Sequence, residues 1–165
     1  MGIEELITTL AGSGAMIARS RISNPQVLNE ADQYPVPSSF SRGLRVELGN
    51  LVVLLISGTA SIDEQGRSVH AGDFRAQARR TFDNIAGLLS SEGASWKDIV
   101  RTTCYLRDIE RDYDAFNEER TRFYKEQELH PLPASTGIQA ILCRPELLVE
   151  IEAIALFLRA PAKEG

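Results

Sequence analysis

Basic clusters, histidines, cysteines and long apolar runs are all scarce in this chain, and each scarcity removes a class of function. The 165 residues carry 18 Lys and Arg against 23 Asp and Glu, a net charge of −5. No basic run interleaves with aromatics, so the footprint of a phosphate-backbone binder is missing and nucleic acid is not an expected partner. The longest strongly apolar run, Leu51 to Ile56, falls far short of the roughly 18 residues of a spanning helix, so no membrane partner is expected either. The N-terminus, MGIEELITTLAGSGAMIARS, has acids where a signal peptide has bases, and its apolar residues are periodic rather than continuous. It reads as part of the folded protein. Cys104 and Cys143 lack CxxC spacing, which argues against a disulfide framework and a thiolate metal site, and a reducing cytoplasm is the expected location. His70 and His130 sit in loop-like sequence and form no ligand set with an acid or thiol, so neither metal nor cofactor is expected.

What the chain does contain is an ordinary globular balance, 43% hydrophobic and 25% charged, in a length that fits one domain with an appendage. Ile3, Leu6, Ile7 and Leu10 predict a short amphipathic helix over residues 3–11. SNPQVLNEADQYPVPSSF then reads as an irregular arm, which divides the chain into 1–36 and a domain over 37–160. Leu44, Val46 and Leu48 alternate with polar residues before a Gly49-Asn50 turn and LVVLLIS, a β-hairpin. Asp73 caps a helix with the stripe Phe74, Ala78, Phe82, Ile85, Leu88 and Leu89, stopped by Gly93. VRTTCYL alternates as a strand with Val100, Thr102, Cys104 and Leu106 on one face. A second helix carries Tyr113, Phe116, Arg120, Phe123 and Tyr124 on one stripe, and two strands follow, near Thr136–Leu142 and Leu148–Leu158. The order ββ(β)αβαββ predicts an α+β domain with both helices on one face of the sheet. The other face is left for a partner, and a closed homo-oligomer is the usual solution.

ISGTASI, GDFRAQARRTFDNI, GASWKDIVRTTCYL, FNEERTRFY and PAST…VEIEAIA occur in an order and at intervals that resemble the Rid family, also called YjgF or endoribonuclease L-PSP proteins. The resemblance covers about Phe40 to Leu158. It implies a chorismate-mutase-like α+β fold, a homotrimer with clefts between subunits, and hydrolysis of small enamines and imines such as 2-aminoacrylate. It also implies that Glu150 positions the attacking water, and that Phe40, Arg42, Ser57 and Gly58 lie at the cleft. The chain departs from the imine deaminases at their Pro-Ala-Arg-Ser loop, whose Arg grips the substrate carboxylate through a two-pronged charged hydrogen bond. Ser135 stands at that position and Gly137 where many deaminases have a small thiol. Housekeeping 2-aminoacrylate deamination is therefore not expected. SGTASI, HAGD, PASTGI and the spacing from Cys143 to Glu150 are also similar to the catalytic domain of the chorismatases, which hydrolyse an enolpyruvyl ether.

Enamines, imines and enol ethers share one requirement, protonation before water can add, and a single carboxyl group serves all three. Glu150 and Glu152 alternate on one strand and point to the same face, about 7 Å apart. Beside an apolar cleft, desolvation and like charge would raise one of them toward neutrality, making Glu150 the candidate acid; the alternative is a solvated strand pair. Ser135, Thr136 and the Gly137 N–H offer neutral donors to a carboxylate or oxyanion, or else a self-satisfied turn. Arg42, Arg101, Arg120 and Arg144 are the candidate cations, with Arg120 conspicuous on an apolar stripe, where Glu119 or Asp98 would be structural partners. Cys143 is a cleft candidate or a small strand hydrophobe. The reading that follows is a trimeric hydrolase acting on a small carboxylated metabolite. A chorismatase-like hydrolase and a non-catalytic trimeric ligand-binding protein are the alternatives, with a ribonuclease disfavoured by the acidic charge and the lack of a His pair.

Overall fold

The computed structural model describes residues 17–34 and 37–159. The helix expected over residues 3–11 lies outside the described residues. Six strands, β1 (Ala18–Arg21), β2 (Gly43–Leu48), β3 (Leu51–Ala60), β4 (Ile99–Leu106), β5 (Ala134–Gln139) and β6 (Val149–Leu158), form one sheet in the order β1-β2-β3-β6-β4-β5. Only β4 and β5 run parallel, because α2 (Ile109–Glu126) carries the chain between them; the other neighbours are antiparallel. This is an α+β fold of the expected kind, with α1 (Phe74–Ser91) and α2 packed together over one face.

The helices form where their sequence caps and periodicity demand it. Asp73 accepts a hydrogen bond from the Ala76 N–H at the start of α1, and Gly93, at φ 71°, turns the chain just past its end. All six stripe residues of α1 are buried. They meet Val52, Leu54 and Ile56 of β3 and Ile151, Ala153 and Ala155 of β6, the alternate positions that face the helices. Between the helices, Phe82 stacks on Phe123 at 4.8 Å and meets Trp96 edge-on at 5.7 Å.

The structure departs from the sequence reading at four places. Just before the segment read as an irregular arm, the chain forms β1, which pairs with β2 from Ala18–Glu47 to Arg21–Leu44. Ile22 and Leu28 are fully buried, so the core is continuous across the division at residue 36. Val27 sits against Gly87, where a Cβ would come within 2.6 Å of it, and Asn24 donates to the Gly87 carbonyl at 2.8 Å. A glycine in the middle of α1 is thus the seat of the arm. The optional third strand is reduced to a single bridge, Ile62 to Ser68. In β4 a register shift between Ile99 and Arg101 turns Val100 outward and puts Ile99 in its place in the core. In α2 Tyr113 is exposed, and the buried face includes Asp112 and Glu119 instead, Glu119 being held by Arg75 at 3.0 Å and Arg122 at 3.2 Å.

Candidate functional site

A cavity of about 810 Å³ opens where β3 bends away from β6. The pairing of the two strands slips between Ile56 and Thr59, leaving Ser57 and Gly58 in a bulge that widens the sheet at this point. Ser57 is fixed there by its N–H to the Arg42 carbonyl at 3.0 Å and its hydroxyl to the Ser41 carbonyl at 2.7 Å. Glu150 lies across the bulge and its carboxylate occupies the space beside Gly58; a Cβ at that position would collide with it. Its pKa is raised above the ordinary glutamate value, first because burial disfavours the charge and second because Glu152 repels it.

Glu150 and Glu152 share a face, as strand alternation requires, yet they serve different spaces. Glu152 lines a separate hollow of about 200 Å³ with Arg101 and Thr103. Tyr105, paired with Glu150 on β4, has its phenol pushed up by burial and by the Glu152 and Glu150 charges. This end of the sheet is therefore rich in carboxylates.

The loop before β6 supplies the opposite wall, with Cys143, Arg144 and Leu147. Two side chains on the core elements hold that loop. The fully buried Gln77 of α1 donates to the Glu146 carbonyl at 2.9 Å and accepts from the Leu148 N–H at 2.8 Å. Arg107, just past β4, donates to the Leu147 and Arg144 carbonyls, both at 2.6 Å. Phe40 and Arg42 enter from the segment before β2, and Tyr34 from the arm. Arg42 is 2% exposed. Its Nε donates to the Asn29 carbonyl at 2.8 Å and its Nη2 to the Tyr34 hydroxyl.

The structure thus brings Glu150, Phe40, Arg42, Ser57, Gly58 and Cys143 together. It places the other sequence candidates elsewhere within the subunit. Ser135 and Arg120 line a second cavity of about 680 Å³, between α2 and β5. Ser135 accepts from Arg120 at 3.2 Å and from Thr102 at 3.0 Å, so Arg120 is held by Ser135 and by Asn117 at 2.9 Å, not by Glu119 or Asp98. Asp98 instead closes a capping box with Ser95. Thr136 lies on the other sheet face and accepts from Arg101 at 3.0 Å. Gly137 is exposed, and a Cβ there would come no closer than 3.8 Å to Tyr113. Tyr34 was not legible as a site residue, because its surroundings read only as turn-forming polar sequence. Arg144 was a candidate by charge alone.

The model of the endoribonuclease L-PSP family matches residues 33–157. The chain belongs to that family. Among L-PSP proteins it is similar to the 3-aminoacrylate deaminase RutC of Acinetobacter baylyi, 34% identical over 62% of this chain and 78% of the relative. The crystal structure of the YjgF gene product of E. coli superposes with a TM-score of 0.66 at 27% identity, covering 86% of this chain and 99% of that one. E. coli TdcF with bound serine gives a TM-score of 0.67 at 25% identity over 86% and 99% of the two chains. The matched span begins inside the arm, so Tyr34 and the whole wall of the Glu150 cavity fall within the L-PSP domain.

Proposed function

We propose that this protein is a deaminase-like hydrolase of the L-PSP family, acting on a small carboxylated enamine, imine or enol ether in the cavity at Glu150. The observation that carries the reading is the Glu150 carboxyl itself, partly desolvated, pressed against Gly58 in the bulge and facing a cavity of about 810 Å³. A carboxyl whose pKa is raised in this way keeps its proton to higher pH than an ordinary glutamate and can deliver it to a substrate. With an enamine, the proton goes to carbon and leaves an iminium; water adds to the C=N carbon, and the resulting carbinolamine releases ammonia and a carbonyl compound. Glu150, now ionised, takes the proton of the attacking water as it adds, and so returns to its starting state.

The similarity to a 3-aminoacrylate deaminase supports this reaction class. The absence of an Arg at position 135 argues that the substrate carboxylate is held differently from that of the imine deaminases the chain resembles. A trimer with clefts between subunits, as the family resemblance implies, would allow Ser135, Thr136 and Gly137 of one subunit to approach the Glu150 cavity of another. The location of Cys143 in the same cavity favours one second reading, a chorismatase-like hydrolysis of an enolpyruvyl ether, in which Glu150 protonates the substrate in the same way.

Mass-spectrometric product analysis with 3-aminoacrylate, 2-aminoacrylate and chorismate, on the protein and on Glu150→Gln in parallel, tests the proposal. Turnover of at least one substrate is expected, with a loss on the order of 10²–10⁴-fold in the variant. A Glu150→Gln protein with full activity would refute the role assigned to Glu150, and binding without turnover of any of them would favour a non-catalytic ligand-binding protein.

A further inference from the structure

Two guanidinium groups in the Glu150 cavity are anchored by neutral atoms, and their charge bears on what the cavity takes. Arg42 is tied to the Asn29 carbonyl and the Tyr34 hydroxyl. Arg144 donates through Nη1 to the Gly66 carbonyl at 2.8 Å and to the Ser68 hydroxyl at 3.2 Å. Both guanidinium carbons lie over the ring of Tyr34, at 5.1 Å and 5.3 Å from its centroid, and Arg42 is also 5.6 Å from the Phe40 ring. Among the described residues, neither arginine has a carboxylate within ion-pair distance, a state they share with Arg101 and Arg120 but not with surface arginines such as Arg75, Arg79 and Arg111.

This arrangement is costly unless something compensates it. A guanidinium cannot shed its proton, so the burial of Arg42 and the half-burial of Arg144 leave both charges in place. Aromatic faces and carbonyl dipoles offset part of that cost and also fix the two groups in position. Among the described residues, Glu150 is the carboxylate that lines the cavity, and it sits beside Gly58 with no ion pair to either arginine. A monoanion would leave one cation uncompensated; a dianion matches both.

We infer that the cavity is built for a small molecule with two anionic groups, one gripped by Arg144 and the other by Arg42, with Tyr34 as the platform that holds both arginines. The inference rests on the reading of this cavity as the reacting site and names its substrate class, a dicarboxylic enamine, imine or enol ether. Arg144 offers its Nε and Nη2 to one carboxylate as a fork, and the Nη1 of Arg42 reaches the second.

Fumarate and acrylate are suitable probes, because they are planar acids that differ by one carboxylate. Isothermal titration of the full chain is expected to show fumarate binding about tenfold or more tighter than acrylate, a difference that Arg144→Met removes. Arg42→Met should do the same; because Arg42 is buried, Arg42→Gln, which removes the charge but keeps a polar side chain, stands in if the Met variant does not fold. Glu150→Gln should keep the fumarate preference. Equal affinity for the two acids, no measurable fumarate binding, or an Arg144→Met protein that retains the preference would each overturn the inference. The two proposals fail separately. Full turnover by Glu150→Gln with an arginine-dependent fumarate preference sinks only the catalytic role, and lost turnover with no such preference sinks only the dianion clamp.

Discussion

Glu150 and Gly58 are one unit at the residue scale, since the carboxylate occupies the volume that any other side chain at 58 would need. Gly58→Ala is expected to fold, displace the carboxyl and lower kcat on the order of 10²-fold, as misplacement by about an ångström does; kinetics on the substrate identified by product analysis would show it. The raised pKa of Glu150 also makes a pH prediction. Above the ordinary value of 4.5 the folded chain holds more protons at this site than the unfolded chain, so stability is lost as pH rises from there through the raised value. Relative to Glu150→Gln, the wild type should therefore weaken across that window and show no change below it, in urea unfolding followed at several pH values. Activity that needs the protonated acid should decline over the same interval. A wild type that gains on the variant with rising pH would contradict the sign. Glu150 stood out in the sequence through the family resemblance, since strand alternation alone sets it beside Glu152 without distinguishing the two. Tyr34 did not, because nothing in a Pro- and Ser-rich stretch tells which aromatic turns inward.

At the scale of elements, the loop over residues 142–148 gets its shape from Gln77 and Arg107, which lie far from it in sequence. Gln77→Leu conserves volume but strands the Leu148 N–H and the Glu146 carbonyl in the interior. The expected loss is about 2–4 kcal/mol in chemical denaturation, with weaker ligand binding because Cys143 and Arg144 ride on this loop. An unchanged midpoint would mean that the loop holds its own shape. The helices themselves were readable, since the stripe of α1 and its Asp73 cap are local patterns. The stripe of α2 misled at Tyr113, because the buried carboxylate of Glu119 is stabilised by Arg75 from another helix. Periodicity carries no information about such a partner.

At the scale of the whole molecule, one face of the sheet is covered by α1 and α2, and among the described residues nothing covers the other. Leu44 pairs with Leu55 and Leu55 with Ile154 across β2, β3 and β6, and Leu55 is 41% exposed. An apolar stripe of this kind calls for a second copy or a partner. A homotrimer, the state implied by the family resemblance, is the expected form, and sedimentation should give three times the mass of the chain. Leu55→Asp places a charge where the isolated subunit already exposes the side chain. It should leave the fold intact by circular dichroism, shift the protein to monomer and reduce activity if neighbours complete the site. A wild-type monomer would show that this face is solvated.

The sequence by itself determined the α+β class, the two helices and the hairpin, because each rests on local periodicity, caps or alternation. Family membership was also written there, in motifs whose order survives without any contact being known. Only the tertiary structure decided that Glu150 faces Arg42, Arg144 and Tyr34, and that Ser135 sits with Arg120 in another cavity. Those groupings depend on a bulge in β3, a register shift in β4 and a buried glutamine. They arise from packing between segments far apart in the chain, which no local pattern encodes.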